Sequence, residues 1–262
     1  MTEKDTNFFK NWFLDFCKSF YTNNQDDLKN IKLKEIHTFK VCENILKIAK
    51  SLKLEEEKIL IAETVALFHD IGRFPQYQKY KTFRDSESVN HGILGAETLK
   101  KAKILDRLNE PTKSMIVKSV IFHNAFSIPK QEDEQTLLFI KLVRDADKLD
   151  IWRVFLDYFE GPVESRANAI TLGLPDTSEY SKEVIEHIFR KETAPHLEVK
   201  TVNDFKLLQL SWIFDLNFAP SVRIMKERNY VNRLISHLPQ TKEIQEVKVF
   251  INKYIEQMNI AL

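Results

Sequence analysis

The segment Leu67-Phe68-His69-Asp70-Ile71-Gly72-Arg73-Phe74 limits what this chain can fold into more than any other. A histidine and an aspartate stand side by side at the end of an apolar run. The glycine two positions later can stop a helix in the left-handed conformation that other residues adopt only at a cost. Neighbours on a helix point about 100° apart, so His69 and Asp70 cannot both lie deep in one apolar stripe. Both can reach one site at the stripe's edge, and a metal ion would use both.

The rest of the chain carries helical periodicity. Residues 6–21 place Phe9, Phe13, Phe16 and Phe20 at helical spacing with Trp12 beside them, which predicts an amphipathic helix docking an aromatic face. Residues 31–53 carry Ile36, Val41, Ile45, Ile48 and Leu52 on one face with His37 at its border. Residues 55–71 repeat the logic with Ile59, Ala62, Val65, Ala66 and then His69. From Pro75 to Asn90 the sequence is polar and aromatic without helical period and reads as a loop that covers a site, with Tyr77, Tyr80, Phe83 and Arg84 as its candidate lid residues. His91 opens another helix, Pro111 suits the first turn of the next, and that helix's stripe of Ile116 and Val120 ends in His123. A long helix over about 134–159 puts Asp145 among Leu138, Leu142 and Leu149. Further helices are expected near 181–191, 201–218, 220–237 and 241–258, with no internal repeat. The fold class is therefore all-α: an N-terminal helical segment over 1–29 packed on the body, a core over 30–160, and a C-terminal helical extension over 161–262.

Charge and composition exclude several functions. Lys and Arg total 39 against 38 Asp and Glu, so no overall field holds nucleic acid or an anionic membrane, and an anionic substrate must meet a local cluster. Lys29, Lys32 and Lys34 read as a solvated face rather than a nucleic-acid patch. Among five glycines the closest approach to a phosphate-cradling loop is Gly92-x-x-Gly95, which lacks both the P-loop lysine and the dinucleotide fingerprint. Cys17 and Cys42 form no CxxC pair and fit reduced thiols. Glu3, Asp5 and Asp15 are unlike a signal peptide, and no run of 18 apolar residues occurs, so a cytoplasmic chain with no membrane partner is expected.

His37, His69, Asp70, His91, His123 and Asp145 all fall at borders or ends of expected buried faces. Burying them unpartnered would cost about 1–3 kcal/mol each, and one bound cation would satisfy them together. The order His37, His69-Asp70, Asp145, with the stretches HDIGRF, SVNHGILGA, FHN and RDADKLDIW, resembles the HD superfamily of metal-dependent phosphohydrolases over roughly residues 30–160. The resemblance implies a helical bundle in which His37, His69, Asp70 and Asp145 hold a divalent metal, with Asp147 and Asp150 as supports or caps. His91 and His123 match the extra histidines of the superfamily's two-metal branches, in which Asp70 would bridge. The cyclic-dinucleotide branch is disfavoured, because no GYP motif follows and no His-His doublet occurs at 123. Mixed imidazole and carboxylate ligation suits Mn, Fe, Co, Ni or Zn, one or two ions, better than Mg or Ca.

The function expected from this likeness is hydrolysis of a small phosphorylated substrate, with nucleotides among the candidates, by metal-activated water. Asp70 would hold metal and orient the nucleophile. Arg73, one helical turn on, would bind phosphate oxygens, Lys148 would add a second positive charge, and Tyr77 and Arg84 would join Arg73 and Lys148 in binding substrate. The same ligands would serve an HD-type di-iron oxygenase, or a non-catalytic protein that keeps a metal or senses a nucleotide. A homo-oligomer is left open.

Overall fold

Short polar residues set where the helices begin. Thr2, Asn24, Asn90, Asn109 and Thr201 each accept a hydrogen bond from a backbone N–H of the first turn that follows, satisfying donors that a helix cannot pair internally. The structure is a computed structural model that describes residues 1–163 and 166–261. Its helices are α1 (Glu3–Lys18), α2 (Gln25–Ser51), α3 (Glu56–Phe68), α4 (Arg73–Tyr80), α5 (His91–Ala102), α6 (Glu110–Phe122), α7 (Glu134–Glu160), α8 (Lys182–Phe189), α9 (Val202–Ser211), α10 (Ala219–Glu227), α11 (Tyr230–Ser236) and α12 (Lys242–Ala261). No strand occurs among the described residues, so the fold is all-α as expected.

The chain divides into two units, one of Met1–Ile151 with Ala167–Leu172, the other of Trp152–Arg166 with Gly173–Leu262. In the first unit α3 is the central element. Ala62, Val65, Ala66, Leu67 and Phe68 are all fully buried, and Glu63, paired with Lys10, and Thr64 are buried beside them, so the second half of this helix is enclosed on every side and delivers His69 into the interior. The aromatic face of α1 docks here through edge-to-face contacts of Phe9 with Phe68 (5.6 Å) and of Phe13 with Phe74 (5.8 Å). On α2 the expected stripe holds at Val41, Ile45 and Ile48, but Ile36 is 51% exposed, because it neighbours the stripe's edge rather than lying in it.

The expected loop from Pro75 to Asn90 is corrected: its first part is α4. Proline in the first turn of a helix lacks only an N–H that would be unpaired there, so Pro75 favours this start rather than opposing it. Phe74 is fully buried against Phe13, Phe16 and Phe20, and Tyr77 and Phe83 are buried too.

In the second unit, the Trp152 indole N–H donates to the Gln209 carbonyl at 3.1 Å, and the Phe155 ring meets Phe205 edge-on at 5.0 Å. The helix expected over 220–237 is interrupted at Asn229, whose φ of 51° is left-handed and separates α10 from α11. Because Phe13 is fully buried among rings, we expect Phe13→Ala to lower stability by about 3–5 kcal/mol, read as a shift in the urea unfolding midpoint.

Candidate metal centre

The site is assembled by close backbone approach at glycines. Gly72 has φ −67°, so the left-handed stop expected there is corrected: what requires glycine is space. A Cβ at Gly72 would lie 2.1 Å from the His91 carbonyl oxygen and 2.6 Å from the Gly95 nitrogen. One at Gly92 would lie 2.7 Å from the Ile121 carbonyl oxygen and 2.9 Å from that of Val120. The turn after α3, the first turn of α5 and the last turn of α6 thus touch backbone to backbone, which brings His69, His91 and His123 into one place. Asn44 of α2 donates to the Ala146 carbonyl of α7 at 3.1 Å and fixes those helices side by side. Arg144 of α7 donates to the carbonyls of His123 and Ala125.

Every one of the four histidines has its Nδ1 held by an acceptor. His69 and His123 cap the C-terminal ends of α3 and α6, and each donates to the carbonyl three residues back, Ala66 and Val120, at 2.7 Å. His37 donates to Asp150 and His91 to Asp85, both at 2.7 Å. With Nδ1 engaged by these acceptors, each Nε2 points inward and offers a lone pair whenever the ring is neutral. The Nε2 atoms of His37 and His69 are 3.3 Å apart, and those of His91 and His123 are 3.0 Å apart.

Asp70 stands between the two pairs. Its Oδ2 is 3.5 Å from His37 Nε2 and 3.7 Å from His69 Nε2, while its Oδ1 is 3.3 Å from His91 Nε2 and 3.7 Å from His123 Nε2. Asp147 Oδ1 reaches His37 Nε2 at 3.0 Å and His69 Nε2 at 3.6 Å. Facing lone pairs this close repel unless a proton or a cation lies between them. Two imidazole nitrogens about 2.0–2.1 Å from one ion, at angles between square and tetrahedral, are themselves about 2.9–3.4 Å apart. The donor set therefore fits a metal, with His37, His69 and Asp70 as one group and Asp70, His91 and His123 as another.

The electrostatics follow from burial and these contacts. Burial opposes ionisation of Asp70, but Lys34, His69, His123 and Arg73 outweigh it and hold the carboxyl well below the usual range. Asp147 is likewise held well below, against burial, by hydrogen bonds from His37 and His69. Burial and the Lys34 charge pull the His37 imidazole down, yet hydrogen bonds with Asp147 and Asp150 prevail and push it up to about 9. Burial and the Arg73 charge bring His91 down to about 3, which keeps it neutral.

Of the residues expected at the site, the fold brings together His37, His69, Asp70, His91 and His123. Asp145 is fully buried on α7, and two positions on, about 200° around the helix, Asp147 brings its carboxylate to His37 and His69. Asp150, three residues on, shares Asp147's face and backs His37. The Tyr77 hydroxyl is buried against α2, accepting from Asn30 at 2.7 Å and donating to Asp27 at 3.1 Å. Arg84 turns to Glu87 at 2.6 Å, and Lys148 is buried on α7. Arg73 sets its Nε 3.4 Å from Asp70 Oδ1 and spends Nη1 on Gln76, the Phe83 carbonyl and Asp85.

Sequence reasoning missed Lys34, whose Nζ donates to Asp70 Oδ2 at 2.7 Å, and Asp85, which backs His91. Lys34 had a signal, since it precedes His37 by one helical turn. A second signal was overlooked in finding no repeat: His37 to His69 and His91 to His123 are both separations of 32, and Phe68-His69-Asp70 is echoed by Phe122-His123-Asn124.

Residues 35–152 match the family model described as HD domain. Over that stretch the chain is similar to HD domains. HD domains bind divalent metals, in keeping with the two His/Asp groups. No curated protein and no solved structure matches the chain. No helix among the described residues is long and apolar enough to cross a membrane.

Two outcomes follow for this cluster. Gly92→Ala must push α5 off α6, so we expect unfolding at lower temperature and loss of bound metal on dialysis, read by calorimetry and elemental analysis. In chelated protein, the folded-state value of His37 lies above its ordinary 6.5. The stability its protonation supplies is therefore fully present below about pH 6.5 and is lost as pH rises through about 9. The urea midpoint of metal-free protein should fall across that window, and Asp150→Asn should flatten the fall.

Proposed function

We propose that this HD-like domain hydrolyses a small phosphate ester, with nucleotides among the candidates, at a divalent transition-metal centre formed by His37, His69, Asp70, His91, His123 and Asp147. The observation that carries the reading is the position of Asp70, whose two oxygens each face one histidine pair while the Lys34 ammonium lies 2.7 Å from one of them. When bound, divalent ions supply Lewis acidity that lowers the pKa of water and offsets charge on phosphate oxygens.

The chain's own groups do the rest. The Nδ1 bonds fix all four rings with Nε2 inward, so ligation costs little reorganisation. Asp147 and Asp70 balance positive charge at the His37 and His69 pair. Lys34, whose side chain keeps 16% exposure, places a cation at the edge of the centre where a phosphate oxygen can reach it. Arg73 acts in this reading as a brace that couples Asp70 to Asp85, because its Nη1 is already engaged. Lys148 contributes positive charge from α7.

The test combines elemental analysis with a phosphate-ester panel, from p-nitrophenyl phosphate to nucleoside monophosphates, across Mn, Fe, Co, Ni and Zn. His69→Ala and Asp70→Ala should lose metal and turnover together. Lys34→Ala should keep its metal and lose about 10–100-fold in kcat/KM, the worth of one charged hydrogen bond. Iron-dependent oxygen uptake with no hydrolysis of any ester would contradict the proposal, as would a metal-loaded protein that binds nucleotide without turnover.

A further inference from the structure

Asp85 has more demands on it than a loop carboxylate ordinarily carries. It lies in a single turn of 3-10 helix, Asp85–Glu87, between α4 and α5. Its Oδ1 accepts from Arg73 Nη1 and Gln76 Nε2, both at 2.9 Å, and its Oδ2 accepts from His91 Nδ1 at 2.7 Å and Asn124 Nδ2 at 3.0 Å. Four donors fill the lone-pair sites of one carboxylate. The same donors hang the neighbouring chain on α4, since Gln76 also donates to Ser88 Oγ and the Val89 carbonyl, and Arg73 to the Phe83 carbonyl.

The two histidine pairs are built alike but backed unequally. Each joins one ring held by a carbonyl at a helix end to one ring held by a carboxylate. For His37 that carboxylate is Asp150, 1% exposed on the long helix α7, whereas for His91 it is Asp85, 31% exposed on the loop. The first pair also has Asp147 beside it. In the second, Asn124 stands where the echo of Phe68-His69-Asp70 would place another aspartate, and it turns its amide to Asp85. The second group therefore has fewer charged donors and depends on a part-exposed carboxylate in a connecting loop.

Resting on the reading of this cluster as a metal centre, we propose that Asp85 is the positioning residue for His91. The group of Asp70, His91 and His123 is then an exchangeable ion site, and its filling is coupled to seating of the Thr82–Val89 loop. By linkage, an ion that needs His91 in this orientation favours the seated loop, and the seated loop tightens the ion by the same factor.

The experiment titrates Mn²⁺ into chelated full-length protein by calorimetry and follows backbone amide exchange over residues 82–89. Wild type should take one ion tightly and a second more weakly, with exchange in the loop slowing only at the second equivalent. Asp85→Asn preserves shape. Arg73 and Gln76 claim the new amide's oxygen, its NH₂ then faces His91, and the imidazole must carry its proton on Nε2, where it cannot ligate. That variant should keep the tight ion, weaken the second by about 10–100-fold and leave the loop in fast exchange, whereas a role in packing alone would loosen the loop without a selective loss at the second ion. Asp150→Asn should weaken the tight ion instead. Two ions held unchanged by Asp85→Asn, equal losses at both, or a wild type that takes a single ion would overturn the proposal. If the variant does not fold, wild-type loop exchange that ignores the second equivalent overturns it alone. A wild type that binds no ion defeats the metal-centre reading itself, a result distinct from these.

Discussion

Four imidazoles turned inward at close range are the constraint on which the rest of this unit depends. A neutral histidine can present a lone pair to a neighbour only if its other nitrogen carries the proton, and here every Nδ1 has an acceptor that fixes that choice. The arrangement is costly on its own, because burying paired lone pairs with a carboxylate between them gives repulsion where a core would give contact. It becomes favourable with positive charge at the centre. In the chain itself the Lys34 ammonium and a proton on His37 supply part of that charge.

Holding the rings in place demands backbone proximity that most sequences avoid. Three of the five glycines, Gly72, Gly92 and Gly95, lie where the turn after α3, the start of α5 and the end of α6 meet. Each carries helical geometry, so their value lies in the missing side chain rather than in conformational freedom. The central helix α3 completes the frame. Because its second half is mostly apolar and its one buried acid, Glu63, is paired with Lys10, it can be surrounded by α1, α2 and α6 and still deliver a histidine and an aspartate at its end.

Much of this was legible in the residues. Periodicity located α1, α3, α5, α6 and α7 to within a few positions and α2 apart from its first six residues, and the polar residues in apolar stripes marked five of the six groups now seen together. The sixth, Asp147, was read only as a support: in Asp145-Ala146-Asp147 both aspartates border apolar positions, and one-dimensional spacing does not say which face of α7 meets α2. Asn44 and Ala146 decide it by docking the helices in one rotation. The helix α4 was misread because polar, aromatic composition looks like a loop until Phe74 finds Phe13, Phe16 and Phe20. Lys34 offered only its spacing of one helical turn before His37, because its partner Asp70 lies 36 residues on, and Asp85 takes its role from His91, Arg73 and Asn124, which converge only in the fold.

The central claim is that cations sit between the facing Nε2 atoms, and anomalous diffraction measured across the absorption edge of the loaded metal tests it most directly. The account predicts a peak within about 2.0–2.2 Å of His37 Nε2 and His69 Nε2, and a second one similarly close to His91 Nε2 and His123 Nε2, with Asp70 between them. A map in which the metal lies elsewhere on the protein, while the four rings keep this geometry around ordinary water or nothing, would contradict it.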